Sequence, residues 1–550
     1  MISADKAAQG PLVLILVASF LLRVAGVHFG LPHLYHQDEP IVVNHALAYA
    51  LGDFNPHFFK IPPLLSALLF LVYGVFYSFL AIFGHFSKEM FAELFFRDPG
   101  IFYLIGRLVF GAAAGTATVW ALYALTKKML DRRTALLSAA LLASSFLHAR
   151  DSHYLYADIP MTFCVVMVFY ELEKKRRKES RFSWLPSLWA GAAIAFKYIA
   201  LPVALPILAD DILEKRGAGA VFRSLFLVGI FYLALNPFSL IDFNFFITEI
   251  RSQARVEVSP PFFHHLLYSL GEGQGLPAVF AGLYGLPLLA ADRRRVPFVS
   301  FAVGYYFLIA FFSQPYERYA IPVLPFLCVS AAFFVTRVIP RPRLQVAIGF
   351  LLVLTPLAKA LYLDSTLFKE DTRTQAKVWM ERSLPEGAAV VLDHPFFSPR
   401  LIQPEDQLTE KLAQIRPEDP HQREKAERIK FMKRLAAGQK RFHVTYVDFD
   451  RLASAPFLMS SPLVVPDAEA VRRIKAQYYV RYRYPGENDF FERQVSSEAR
   501  LVKVFSPYQD PSRIFNRDTW SNVALPFSTK ELFSRERQGP YLEIYRLETR

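Results

Sequence analysis

Cysteine is nearly missing from this sequence. Two in 550 residues, Cys164 and Cys328, both inside apolar runs, exclude a disulfide framework and a cysteine zinc site. No N-x-S/T sequon occurs, which leans toward a bacterial chain. Charge is also absent over long stretches. "PLVLILVASFLLRVAGVHFGLP", residues 11–32, holds one arginine, and "FYLIGRLVFGAAAGTATVWALYAL", "SLFLVGIFYLALNPF", "VPFVSFAVGYYFLIAFF", "IPVLPFLCVSAAFFV" and "VAIGFLLVLTPLA" follow it. Such runs match a hydrocarbon core of about 30 Å. With 53% hydrophobic residues and 52 phenylalanines, the composition is that of an integral membrane protein. A cleaved signal peptide would explain the first run alone. The spans behind it favour an uncleaved first helix.

The net charge of +13 would suggest nucleic acid in a soluble protein, and here it reads as topology. Lysine and arginine gather in "TKKMLDRR" (four), "ELEKKRRKESRF" (six), "DRRR" (three), "TRVIPRPR" (three) and "DDILEKRGAGAVFR" (three). The positive-inside rule puts these five loops in the cytoplasm. Their counterparts are nearly bare of cations: 34–60 has only Lys60, "RDSHYLYADIP" only Arg150, and "SQPYERYA" only Arg318. These loops face outward.

One apolar segment does not fit the parity. If 62–84 and 101–126 both crossed, "TKKMLDRR" would lie outside. Pro62, Pro63 and the aromatic content of 62–84 suggest a helix lying in the outer interface or re-entering. The stretch "WLPSLWAGAAIAFKYIALPVALPILADD" reads as a broken hairpin with Lys197 at its tip. About eleven crossings result, with the amino terminus inside and the carboxyl end outside. Composition changes near Asp364. "DTRTQAKVWMERSLPEGAAVVLDHPF" reads as an amphipathic helix, a turn and a strand, and "RFHVTYVDF" and "GPYLEIYRL" read as further strands. The expected organisation is a polytopic α-helical domain over 1–363 and a soluble, extracytoplasmic α/β domain over 364–550.

Ionisable residues at a membrane boundary are costly and mark functional sites. The outer loops collect Asp38, Glu39, Lys60, Arg150, Asp151, Asp158, His264, His265, Glu317 and Arg318. Each has a plainer reading. Asp38 and Asp158 could be helix N-caps ahead of Pro40 and Pro160. Lys60 and Arg150 could snorkel to headgroups. His264 and His265 could be interfacial packing, and Arg318 an anchor partnered by Glu317 within an aromatic belt that includes Tyr316 and Tyr319.

The order of the motifs is more specific than any one of them. "HQDEP" follows the first span, then come "HFFKIPPLLSALLF", "ARDSHYLYADIPMTF", "GAAIAFKYIALPVALP", "NPFSLIDFNFFITEI" and "ERYAIPVLPFL". Over about residues 10–360 this series resembles the GT-C membrane glycosyltransferases, closest to the protein O-mannosyltransferase and aminoarabinose (lipid A) transferase relatives. The resemblance implies a sugar donor carried on a polyprenyl phosphate and a reaction at the outer face of a plasma (inner) membrane. It implies that Asp38 activates the acceptor hydroxyl with Glu39 as its neighbour, that Lys60 lies near the phosphate, and that Asp158 is the second acidic motif. Ile61 between Lys60 and the proline pair departs from the family pattern. The outer domain does not read like the β-trefoil of the eukaryotic protein mannosyltransferases, which leaves the acceptor open among lipid, glycan and protein.

The chemistry agrees. Displacing a lipid phosphate from an anomeric carbon, with inversion, needs a carboxylate base and cations at the leaving group. Lys60, Arg150, Lys197 and Arg318, with Tyr319, are the candidates for holding the donor phosphate. No cofactor is required on this reading. A divalent metal is a further option, and His57, His264 and His265 are the residues that could hold one or contact the acceptor. Three other readings compete. A secondary transporter would place acids near mid-span and show two similar halves, a lipid-linked oligosaccharide polymerase or ligase would share the donor but not this motif order, and a non-enzymatic receptor would carry its function in the outer domain.

Overall fold

In the computed structural model of the chain, the described residues are 2–36, 38–179, 183–253, 261–311, 315–393, 397–415, 420–435, 439–447, 464–465, 468–483, 491, 495–510, 512–513 and 525–548. The first two-thirds are helical: α1 (Ile2–Val24), α2 (Glu39–Ala48), α3 (Leu64–Gly84), α4 (Lys88–Arg97), α5 (Gly100–Met129), α6 (Arg132–Ser144), α7 (Asp158–Arg176), α8 (Leu185–Phe196), α9 (Ala204–Leu213), α10 (Ala218–Leu235), α11 (Leu276–Ala290), α12 (Val296–Ala310), α13 (Glu317–Val338) and α14 (Pro342–Leu367). Prolines open α2, α8, α11, α12 and α14, where a missing N–H costs nothing.

This is a multi-pass membrane protein. Among the described residues, α3, α5, α10, α13 and the helix starting at Pro342 are long and apolar enough to span. A sixth span results if the bent pair His265–Gln274 and Leu276–Ala290 is counted as one. That count is smaller than eleven because much of the bundle consists of shorter helices, such as Gly10–Val24 and Leu185–Phe196.

The five basic loops meet at one end of the bundle. Lys128 pairs with Glu179, Lys175 with Asp211 (3.0 Å), Arg216 with Asp210 (2.6 Å) and Arg337 with Asp131 (3.3 Å), while Arg176 donates to the Arg294 carbonyl. The helix α3 passes the length and hydropathy test for a span, and the segments around it contact the other end of the bundle. Its first turns pack on α2. Mid-helix, the Tyr73 hydroxyl donates to the Phe102 carbonyl (3.0 Å) and Phe76 meets Phe102, at the start of α5. Just beyond its end, Phe96 of α4 stacks on Phe431 of the C-terminal domain, ring centroids 4.5 Å apart.

The C-terminal domain begins with α15 (Thr372–Ser383), because α14 runs on to Leu367. The described residues form a six-stranded sheet in the order β3-β2-β1-β4-β6-β5: β1 (Ala389–Leu392), β2 (His443–Val447), β3 (Val464–Val465), β4 (Tyr478–Arg483), β5 (Ala499–Phe505) and β6 (Tyr541–Leu547). The first four strands pair in parallel, and β6 and β5 join antiparallel. Central β1 is an unbroken apolar run because both of its faces are covered: Val390 and Leu392 pack with Met380 of α15, and Val391 packs with Phe491 on the other side. The strands expected in 441–449 and at the carboxyl end are β2 and β6. The domain returns to the helices through Leu525, Phe527 and Leu532, which join the bundle core.

Candidate active site

Four charged side chains from distant parts of the sequence meet on the end of the bundle that carries the sheet domain. Arg318 Nη1 donates to Asp38 Oδ2 at 2.6 Å. Lys197 Nζ donates to both oxygens of Asp158, at 2.7 and 2.8 Å. Tyrosines join the two pairs. Lys197 Nζ lies 5.0 Å from the ring centroids of both Tyr156 and Tyr319, and the Arg318 guanidinium lies 4.8 Å from Tyr156 and 5.1 Å from Tyr316.

Local sequence explains each placement. Lys197 is the extended residue (φ −160°, ψ 128°) between α8 and a 3-10 turn at Tyr198–Val203, so the expected broken hairpin presents its tip lysine to the site. Asp158 opens α7, and Asp38 precedes α2. Neither carboxylate makes the side-chain cap that the plainer reading assigns it: each reaches a cation instead. Arg318 takes Asp38 as its partner, leaving Glu317 to Arg150 (2.8 Å).

The electrostatics keep Asp38 ionised. Burial alone would raise its carboxyl, but Arg318, His36 and Lys197 outweigh that and hold it below the usual carboxylate range. Its side chain is 16% exposed, the most open of the four. His36 is buried, its ring centroid 4.2 Å from that of Tyr154 in a tilted contact, and its Nδ1 accepts from the backbone N–H groups of Asp38 (3.1 Å) and Glu39 (3.3 Å).

Several expected site residues have other work. Glu39, expected beside Asp38 as a second catalytic acid, is fully buried and gripped at both oxygens by Arg107, Nε–Oε1 and Nη2–Oε2 each 2.7 Å. The Leu155 N–H adds a third bond at 2.8 Å. With both lone-pair sets engaged, Glu39 ties the start of α2 to α5 and to the 152–155 segment. Arg150, expected at the donor phosphate, is sealed between Asp151 (2.9 Å) and Glu317, with Phe527 against its face. Lys60 is half-buried beside Phe59, which packs on Phe245 and Phe246. His57 binds Asp53 (2.8 Å), His264 the Pro315 carbonyl (3.1 Å) and His265 Ser269 (2.9 Å). Among the described residues no three His, Cys, Asp or Glu side chains gather as a metal site, so the three histidines do not form one ligand set. Tyr319 and Lys197 do reach the cluster.

Sequence reasoning missed Arg107 and Tyr156. Arg107 carried a readable signal, a lone cation inside an apolar run, which demands a buried acid. It opens a π-helical turn, Arg107–Ala113, of the kind found at functional positions. Gly111 in that turn lets the 152–154 backbone approach: a Cβ there would lie 2.3 Å from the Ser152 carbonyl oxygen.

Residues 101–241 match the family model described as dolichyl-phosphate-mannose-protein mannosyltransferase. Among solved structures, ArnT from Cupriavidus metallidurans in the apo state aligns with a TM-score of 0.52 at 14% identity, covering 90% of this chain and 96% of that one. The same protein bound to undecaprenyl phosphate aligns with a TM-score of 0.51 at 14% identity, covering 98% of each chain. No curated protein sequence matches. The chain thus shares the fold of a GT-C protein from end to end, sheet domain included, and the resemblance read from its ordered motifs is found again in the family match.

Proposed function

We propose that this protein is a membrane glycosyltransferase that moves a sugar from a polyprenyl-phosphate donor to an acceptor hydroxyl or phosphate at the outer face of the inner membrane. The sheet domain is then periplasmic. The observation that carries this reading is the pairing of Asp38 with Arg318 and of Asp158 with Lys197 under one tyrosine wall, at the bundle end opposite the basic loops. The likeness to a structure titled as bound to undecaprenyl phosphate supports a lipid-phosphate donor.

In this mechanism Asp38 accepts the proton of the acceptor as its oxygen attacks the anomeric carbon. The new C–O bond forms as the bond from that carbon to the phosphate oxygen breaks, with inversion. The leaving polyprenyl phosphate takes its electrons with it, and Arg318 and Lys197 receive the charge. Arg318 moves from Asp38 to the phosphate when donor binds, which frees the carboxylate as a base. Asp158 holds Lys197 in place, and the tyrosines exclude water around both cations. Lys60 is a further candidate cation for the donor phosphate, as its place in the ordered motifs implies. No metal is needed, because the two cations suffice.

The test is transfer from labelled polyprenyl-phosphate hexoses and pentoses by the purified protein in lipid nanodiscs, parent against Asp38→Asn. Label reaching an acceptor with the parent and not the variant is the expected result. Equal transfer by both removes Asp38 from the mechanism.

A further inference from the structure

The loop that carries Asp38 is held from the sheet domain. Tyr35, three residues before Asp38, is buried beneath the guanidinium of Arg373, whose central carbon lies 3.7 Å from the ring centroid. The Tyr35 hydroxyl shares a hydrogen bond with Thr374 Oγ1 at 2.8 Å. Arg400 Nη2 donates to the Leu34 carbonyl at 2.8 Å. Leu34 has φ +57°, a conformation that L-residues rarely adopt without an outside hold.

The holding groups are themselves fixed. Asp371 caps α15 by accepting from the Arg373 N–H, and grips that guanidinium with both oxygens, Nε–Oδ1 2.9 Å and Nη2–Oδ2 2.7 Å. Two charge-assisted hydrogen bonds therefore hold the fork against Asp371. On the loop side, His36 hands the constraint on, since its Nδ1 accepts from the N–H groups of Asp38 and Glu39. An unbroken line of contacts therefore runs from α15 and the segment after β1, through Leu34, Tyr35 and His36, to the Asp38 backbone. The bundle holds the same loop from below through Glu39 and Arg107.

We propose that Arg373 and Arg400 of the sheet domain are positioning residues that set the place of Asp38 in the site. This rests on Asp38 acting as the base. Neither arginine touches the reacting atoms. Release of the clamp lets the loop drift, and a displacement of about 1 Å at a reacting group can cost about 10²-fold in rate.

The test uses the full-length protein in nanodiscs, as parent, Arg373→Ala, Arg373→Lys and Arg400→Ala. Hydrogen exchange is read over 33–40 and, as a control for folding, over 324–338. Loss of protection confined to 33–40, with kcat lowered about 10–100-fold and donor KM within about twofold, is the expected result for both alanine variants. Arg373→Lys, which keeps a cation over the ring but loses the fork, should fall between. If Arg373→Ala does not fold, Arg373→Lys and Arg400→Ala carry the comparison, because both keep a cation beside the buried Asp371. Parental protection over 33–40 in the folded variants overturns the clamp. Loosening with unchanged kcat overturns the positioning role. A parent that transfers from no polyprenyl-phosphate sugar sinks the proposed function instead, and the exchange measurement still decides the clamp.

Discussion

At the scale of single residues, two adjacent acids have opposite fates. Asp38 is partly open and paired with one cation, whereas Glu39 is sealed with every oxygen engaged. Asp38→Asn should therefore lower transfer by about 10²–10⁴-fold while leaving the melting temperature near that of the parent. Glu39→Gln should do the reverse first: an uncompensated Arg107 in the interior costs about 3–5 kcal/mol, read as a large drop in melting temperature in detergent. A stable, inactive Glu39→Gln would contradict this division. Arg318→Lys should raise donor KM or slow leaving-group departure, since an ammonium is a point charge where a guanidinium is a fork. Parental kinetics with both substrates varied separately would return Arg318 to an anchoring role. His36 adds a pH dependence. Burial lowers its imidazole from the ordinary value near 6.5, although Glu39 and Asp38 pull the other way. The unfolded chain therefore takes a proton that the folded one refuses. The associated stability is complete above about pH 6.5 and is lost as pH falls below it. Thermal melts from pH 8 to 5 should be flat and then decline, and His36→Gln should flatten the decline.

At the scale of elements, α3 tests whether length and hydropathy define a crossing. Its exposed side chains are mostly apolar, among them Leu71, Val75, Phe79 and Phe83, while its middle meets the start of α5 and the α4 that follows it stacks on the sheet domain. Cysteine labelling decides this directly, because the native Cys164 and Cys328 are buried and will not react. Met90→Cys in α4 should be modified by an impermeant reagent from the outside, and Leu130→Cys should not. Labelling of position 130 from outside would restore α3 as a span. The gathering of the basic loops at one end was legible in the sequence from their lysines and arginines alone. The break at Lys197 was legible as well, because one lysine between two apolar runs cannot stay in the hydrocarbon region.

At the scale of the whole molecule, the sheet domain is not an appendage. Phe527 sits against Arg150 and stacks on Phe146, and its carbonyl accepts from Lys359 Nζ at 3.1 Å. Glu272 completes the junction, taking Lys359 (2.6 Å) and the Thr529 N–H (2.9 Å). Phe527→Ala should cost about 3–5 kcal/mol, the usual result of emptying a buried phenylalanine site. Its melting temperature should fall for the protein as a whole, as a single transition. Two separated transitions, with the bundle unaffected, would show that the two parts fold independently.

The sequence by itself determined the membrane class, the change of composition near residue 364 and the candidate charges Asp38, Asp158, Lys197 and Arg318. These follow from local physics: apolar length, the cost of burying charge, and side-chain periodicity all act within a few residues of the position concerned. Only the tertiary structure decided which charge meets which. Asp38 lies 280 residues from its partner Arg318, and Glu39 lies 68 from Arg107, and nothing local distinguishes an acid that will be sealed from a neighbour that stays open. The return of Phe527 to the bundle and the grip of Arg373 on Tyr35 were invisible for the same reason. Both arise from packing between segments far apart in the chain, where shape and burial select partners that no short stretch encodes.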